Sequence, residues 1–329
     1  MTGRRTFLRT LTGSAMTRSF AAQAQPARRL PTVGFLGPAP SAGDFVQAFQ
    51  RGLLDLGYVE GKNLHVEYRY NTAIQGNLDR LGELAADLVS LNPEVLVVSL
   101  TEVALIAQQA TRTIPIVMAN VTDPVAAGLV ASLSHPGGNV TGVSRQTPEL
   151  VAKQMQLLKE VLPRTTRVGI LLNATGRLRA TIFAVAKDTA DLLGVQFSVL
   201  GLAQNTEIDA AFATLRAERA SAVLILGGGV FYLSRAQIAD LALKGRMASM
   251  FEYREAVYAG GLMSYGASSA ANYRRAAYFV DRILKGAKPA ELPVEQSTTF
   301  ELVLNLKTAK ALNITIPQAI LLRADEVIQ

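Results

Sequence analysis

The segment Ile114–Val143, IPIVMANVTDPVAAGLVASLSHPGGNVTGV, is the point from which the rest of the chain can be read. It reads as a buried strand over Ile116–Ala119, a polar turn over Asn120–Pro124, a short amphipathic helix and a Pro-Gly-Gly turn, with a second apolar strand from Val140. Asp123 is expected as the N-cap of that helix and Pro124 at its first position, where a proline has no amide to lose. A polar turn at the carboxyl end of a buried strand is where open α/β sheets hold ligands. Residues 140–144 are expected to leave this lobe as the first hinge strand.

Working outward, short apolar runs alternate with amphipathic ones. On the N-terminal side, Val33–Leu36, Leu64–Tyr68 and the fully apolar Val95–Val98 read as strands. Helices follow them, marked by Phe45, Phe49 and Leu53, by Leu78, Leu81, Leu84 and Leu88, and by Val103–Thr111. On the C-terminal side the alternation starts afresh after Pro163. Strands are expected at Val168–Leu172, Val195–Val199 and Val223–Leu226, helices at Ile182–Leu193 and Ile208–Ala217, and a late strand at Phe300–Leu304. Such an alternation predicts an α/β protein with two doubly wound, mostly parallel sheets. The expected division is 31–143 for lobe 1, 144–266 for lobe 2, and 267–292 for a helix returning to lobe 1. Residues 293–329 cross the hinge again into a lobe left open.

Composition narrows the function. The 329 residues are 49% hydrophobic and 18% charged, enough for packed cores. Four of the charges behind the net +7 are arginines in residues 1–24, which carry no acid, so +3 remains for the rest. That is no footprint for nucleic acid. There is no cysteine and only two histidines, His65 and His135, so thiolate chemistry is excluded and a histidine-based metal site or triad has little to draw on. No metal, no cofactor and no catalysis are expected. The glycines 227–229 are not a G-x-G-x-x-G loop and do not follow the first strand of their lobe, which argues against a dinucleotide. Residues 1–24 read as an export signal. Arg4-Arg5-Thr6-Phe7-Leu8-Arg9 is twin-arginine-like, and Ala22-Gln23-Ala24 forms a cleavage pattern.

Polar and aromatic residues at the expected strand ends are the candidates for a site. In lobe 1 these are Ser41, Ser99, Thr101, Asn120 and Thr122. In lobe 2 they are Asn173, Gly228, Glu252, Tyr253 and Tyr265. Hydroxyls of Ser41, Ser99 and Thr101 would hold one side of a solute, Asn173 and helix amides the other, and the two tyrosines its apolar part.

Several phrases together carry a family resemblance. They are Gly52–Leu64 (GLLDLGYVEGKNL), Asp123-Pro124-Val125, His135–Gly142 (HPGGNVTG), Gly260–Gly266 (GGLMSYG), Asn305–Leu312 (NLKTAKAL), Ile316-Pro317 and Leu322–Ile328 (LRADEVI). From residue 31 to the end the chain resembles the bacterial extracytoplasmic substrate-binding proteins of ABC transporters. The resemblance implies a type I periplasmic-binding fold and a soluble, monomeric receptor in the periplasm. Such a receptor closes on a small-molecule solute and delivers it to an ABC permease at the membrane surface. A sensing module of the same fold and a doubly wound enzyme are the alternatives. Some relatives hold amino acids, and these would be expected to place an acid or amide after the strand that here ends in Gly227-Gly228-Gly229. None stands there, so the ammonium partner would fall to Glu252 or Asp123.

Overall fold

The computed structural model describes residues 29–37, 43–70, 78–145, 148–174 and 179–329. The export-signal reading of residues 1–24 and the candidate Ser41 lie outside them. In chain order, the first half forms β1 (Thr32–Gly37), α1 (Gly43–Asp55), β2 (His65–Tyr70), α2 (Leu78–Ser90), β3 (Val95–Val98), α3 (Thr101–Ala110), β4 (Ile116–Thr122) and β5 (Val140–Arg145). Then come α4 (Pro148–Val161), β6 (Arg167–Asn173), α5 (Arg179–Leu193), β7 (Gln196–Leu202), α6 (Ile208–Ala217), β8 (Ala222–Ile225), α7 (Gly229–Leu233), α8 (Arg235–Lys244), β9 (Ala248–Phe251), α9 (Arg254–Tyr258) and β10 (Met263–Ala267). The chain ends with α10 (Ser269–Leu284), β11 (Glu295–Gln296), β12 (Phe300–Asn305), α11 (Leu306–Ala311), α12 (Gln318–Leu321) and β13 (Glu326–Ile328).

The strands form two sheets. One has the order β11-β5-β4-β3-β1-β2 and is parallel throughout; the other has the order β13-β12-β10-β9-β8-β6-β7, with only the β10–β12 pair antiparallel. Each sheet is covered on both faces, which is why its central strands are apolar at every position. Val95, Leu96, Val97 and Val98 are all buried, as are Ala222, Val223, Leu224 and Ile225. In lobe 1, α1 and α10 pack on one face around Phe35, Phe49 and Phe279, and α2 and α3 on the other around Leu88, Leu96 and Met118. In lobe 2, α4 and α5 enclose Leu158 and Ile170, while α6 and α8 enclose Phe212 and Ile238.

The chain passes between the sheets three times, after β5, between β10 and α10, and between β11 and β12. Helix α10 packs on the first sheet, β11 extends that sheet, and β12 and β13 belong to the second. Buried polar side chains tie the crossings together. The Ser297 amide and hydroxyl both donate to the Ser144 carbonyl, at 2.9 and 3.1 Å, and the Ser268 amide donates to the Thr299 carbonyl at 2.9 Å. The Ser297 hydroxyl also meets the Asn272 Oδ1, Asn272 donates to Asn120, and Asn120 donates to Ser269. Each of these side chains is buried, and each finds a partner that offsets its desolvation.

One expected element is corrected. No helix follows Asp123. Asp123 itself adopts φ +39° and Gly128 φ +76°, so residues 124–130 run as successive turns. The positive φ of Gly128 falls within what would be the second turn, and no α-helix can run through it. The Asp123 carboxylate still accepts the Ala126 amide at 2.9 Å, a cap-type bond serving a turn. Between β8 and α10 the structure adds α7, α8, β9, α9 and β10, which were not among the expected elements.

Candidate functional site

A cleft of about 340 Å³ lies between the lobes at the carboxyl ends of both sheets. That volume is within the range of small-molecule sites. Lobe 1 contributes Leu100, Thr101, Glu102 and Leu105 after β3, with Asn120, Thr122, Asp123, Ala126 and Ala127 at the end of β4. Lobe 2 contributes Leu172, Asn173, Arg179 and Ile182 around the β6–α5 connection, Leu226, Gly227 and Gly228 after β8, and Tyr253 after β9.

Of the candidates chosen from sequence, Thr101, Asn120, Thr122, Asn173, Gly228 and Tyr253 come together here. Their polar atoms are already engaged to different extents. The Thr101 hydroxyl donates to the Thr122 carbonyl and accepts from its amide, both at 3.2 Å, which joins the starts of two connections. Asn120 belongs to the hinge network described above. Asn173 Nδ2 donates to Glu102 Oε1 at 3.2 Å, a hydrogen bond that spans the cleft. Leu100, which caps α3, has φ +68°, a conformation costing an L-residue on the order of 1–3 kcal/mol. That turn aims the α3 N-terminus and Glu102, in its first turn, at lobe 2.

Three other candidates sit elsewhere. Ser99 is buried beneath the cleft with its hydroxyl against the Tyr273 phenol, in a strand end that packing has closed. Tyr265 lies in β10, with its ring stacked on Phe300 and packed on the lobe 2 core. Glu252 does not face the cleft either. Its Oε1 meets Arg145 Nη2 at 2.5 Å, both side chains being fully enclosed, and its Oε2 accepts the Gly227 amide at 2.5 Å. Arg145 ends β5, so this is an ion pair between lobes.

The same residue accounts for two glycines. A Cβ on Gly227 would come within 2.4 Å of Glu252 Oε2, and one on Gly266 within 2.0 Å of the Glu252 carbonyl. Close packing around Glu252, and not a phosphate, demands these small residues. The Arg145 guanidinium carbon also lies 4.2 Å from the centroid of the Tyr253 ring, in cation–π contact. Burial opposes the charge on Arg145, but Glu252, Tyr253 and Glu255 together outweigh it and hold the guanidinium above its ordinary value. Burial pushes the Tyr253 phenol up, while the Gly228 amide donates to it.

Sequence reasoning missed Glu102 and Arg179. The signal for Glu102 was present, because it is the acid next to Thr101 at a strand's carboxyl end. Arg179 begins α5 at the rim, beside residues outside the described set. Among the described residues, the cleft thus offers two carboxylates, Glu102 and Asp123, one guanidinium, Arg179, and a wall of Leu100, Leu105, Leu172, Ile182 and Leu226.

A cleft framed by two doubly wound lobes that exchange the chain three times places this molecule among the two-lobed solute receptors of type I periplasmic-binding fold. The chain belongs to the ABC transporter substrate binding protein family, whose model matches residues 37–328. It is the solute-binding receptor of an ABC importer. The chain is similar to the tyrosine-binding protein of Clostridioides difficile (strain R20291), at 26% identity over 275 residues, or 83% of this chain and 78% of that protein. Among solved structures, a conserved domain protein from Vibrio cholerae is 29% identical with a TM-score of 0.82. An ABC domain from Streptococcus pneumonia in complex with L-Trp is 26% identical, also with a TM-score of 0.82. Both comparisons cover 91% of this chain and 100% of the other.

Proposed function

We propose that the cleft holds an amino acid with an apolar side chain, which the receptor carries as a monomer through the periplasm to its ABC permease, without chemistry on the solute. The observation that carries this reading is the placement of Glu102 and Asp123 on one lobe and Arg179 on the other, with an aliphatic wall between them. A zwitterion needs that arrangement. Its ammonium would meet Glu102, its carboxylate the Arg179 side, and its side chain Leu105, Ile182 and Leu226. Names of the relatives support the class, one being a tyrosine-binding protein and one a complex with L-Trp. Glu102 takes the part that the sequence had left to Glu252 or Asp123, since Glu252 is spent on Arg145 and Gly227.

Thr101, Asn120, Thr122, Asn173, Gly228 and Tyr253 would complete the ligand's surroundings, and contacts to both lobes would favour the closed arrangement. The chain has no tryptophan, so added L-tryptophan, free or bound, is the only indole fluorophore in solution. Titration by ligand fluorescence, beside a thermal-shift screen of amino acids, sugars and nucleosides, tests the proposal. A raised melting temperature with apolar or aromatic amino acids is the expected result. Stabilisation by sugars or nucleosides alone would overturn it.

A further inference from the structure

The Arg145–Glu252 pair does something that neither a solute contact nor a core residue would do. Arg145 is the last residue of β5, immediately before the first crossing, so it moves with lobe 1. Among the described residues, its guanidinium is held from the β9–α9 connection of lobe 2, by the Glu252 carboxylate and the Tyr253 ring. Glu252 in turn fixes the Gly227 amide, and Tyr253 receives the Gly228 amide. Gly227, Gly228 and Tyr253 are cleft residues, whereas Arg145 and Glu252 are not. A buried charge pair is a costly way to fill space, because both ions lose their hydration and an apolar pair of the same size packs as well.

We propose that Arg145 and Glu252 form a pivot pin, a buried interlobe ion pair beside the hinge that holds the Gly227–Gly228 amides and the Tyr253 ring in register with lobe 1 while the lobes swing. Both are positioning residues. The lobes then rotate about a fixed point instead of sliding, and the lobe 2 wall of the cleft meets the solute already ordered. This goes beyond the amino-acid reading, although one arm of its test uses that reading's ligands.

The chain contains no cysteine, so spin labels on Glu83→Cys and Asp188→Cys, exposed on α2 and α5, report the interlobe distance alone. Arg145→Met or Glu252→Leu should broaden the distance distribution and weaken L-tryptophan and L-tyrosine about tenfold or more. Because a single change strands a buried charge, the double variant Arg145→Met/Glu252→Leu is the decisive one. It should regain most of the lost stability and keep the broad distribution and weak binding, since Gly227 still lacks its acceptor. Arg145→Lys should restore the narrow distribution. A double variant with the wild-type distance distribution would overturn the pin and leave the pair as core filling. Failure of the wild type to bind either amino acid would overturn the ligand class instead, and the distance measurement would still decide the pin.

Discussion

Two carboxylates bridge the lobes, one beside the cleft and one within it, and the bridges could hardly differ more. At the hinge end, Glu252 is fully enclosed with Arg145 and a backbone amide. At the mouth, Glu102 lies half-buried on a helix start and accepts a hydrogen bond from Asn173. The first carboxylate has no water to fall back on when its partner leaves. The second exchanges a neutral amide for water, or for a ligand's ammonium, at little cost. The contrast teaches that an acid at a strand's carboxyl end becomes a structural or a cleft-facing group according to what encloses it.

The comparison can be broken most strongly at the hinge. Glu252→Leu alone should cost about 3–5 kcal/mol in urea unfolding, because Arg145 is left charged and buried, and adding Arg145→Met should recover much of that loss. Gly266→Ala should come next, at about 1–3 kcal/mol, since the new methyl meets the Glu252 carbonyl and must push the β9–α9 connection aside. At the mouth, Glu102→Gln should leave stability within about 0.5 kcal/mol of wild type. It should nevertheless raise the Kd for an amino acid about 10- to 100-fold by calorimetry, because the solute loses the charge opposite its ammonium.

The smallest effect concerns Glu255, in the first turn of α9. Burial pushes its carboxyl above the ordinary glutamate value, against the pull of Arg254 and Arg235, and among the described residues its Oε2 meets no hydrogen-bond partner. The folded state therefore holds this proton more tightly than the unfolded chain does. Stability should decline as pH rises from the ordinary glutamate value through the raised one, and Glu255→Gln should flatten that part of the unfolding profile.

Much of the fold was legible because its signals are local. The apolar run Val95–Val98 could only be a strand covered on both faces, and the restart after Pro163 marked a second sheet. Where the reading failed, a long-range contact or an unusual backbone angle had intervened. Pro124 after Asp123 is a helix-start pattern, but the positive φ of Gly128 ends the segment as turns before a helix can form. Tyr265 ends an apolar run as Tyr253 nearly does, yet Phe300 from the antiparallel β12 covers the first while the cleft receives the second. Glu252 and Glu102 occupy equivalent-looking places after their strands, and the residue that separates their roles, Arg145, lies far from both in sequence.

By itself, then, the sequence determined the number of sheets, the alternation that makes them parallel, and the strand ends where polar residues gather, since each follows from hydrophobic period and turn chemistry within a few residues. Only the tertiary structure decided which of those polar residues line the cleft. The energy of a charge depends on what surrounds it in space, and here the surroundings come from the other lobe.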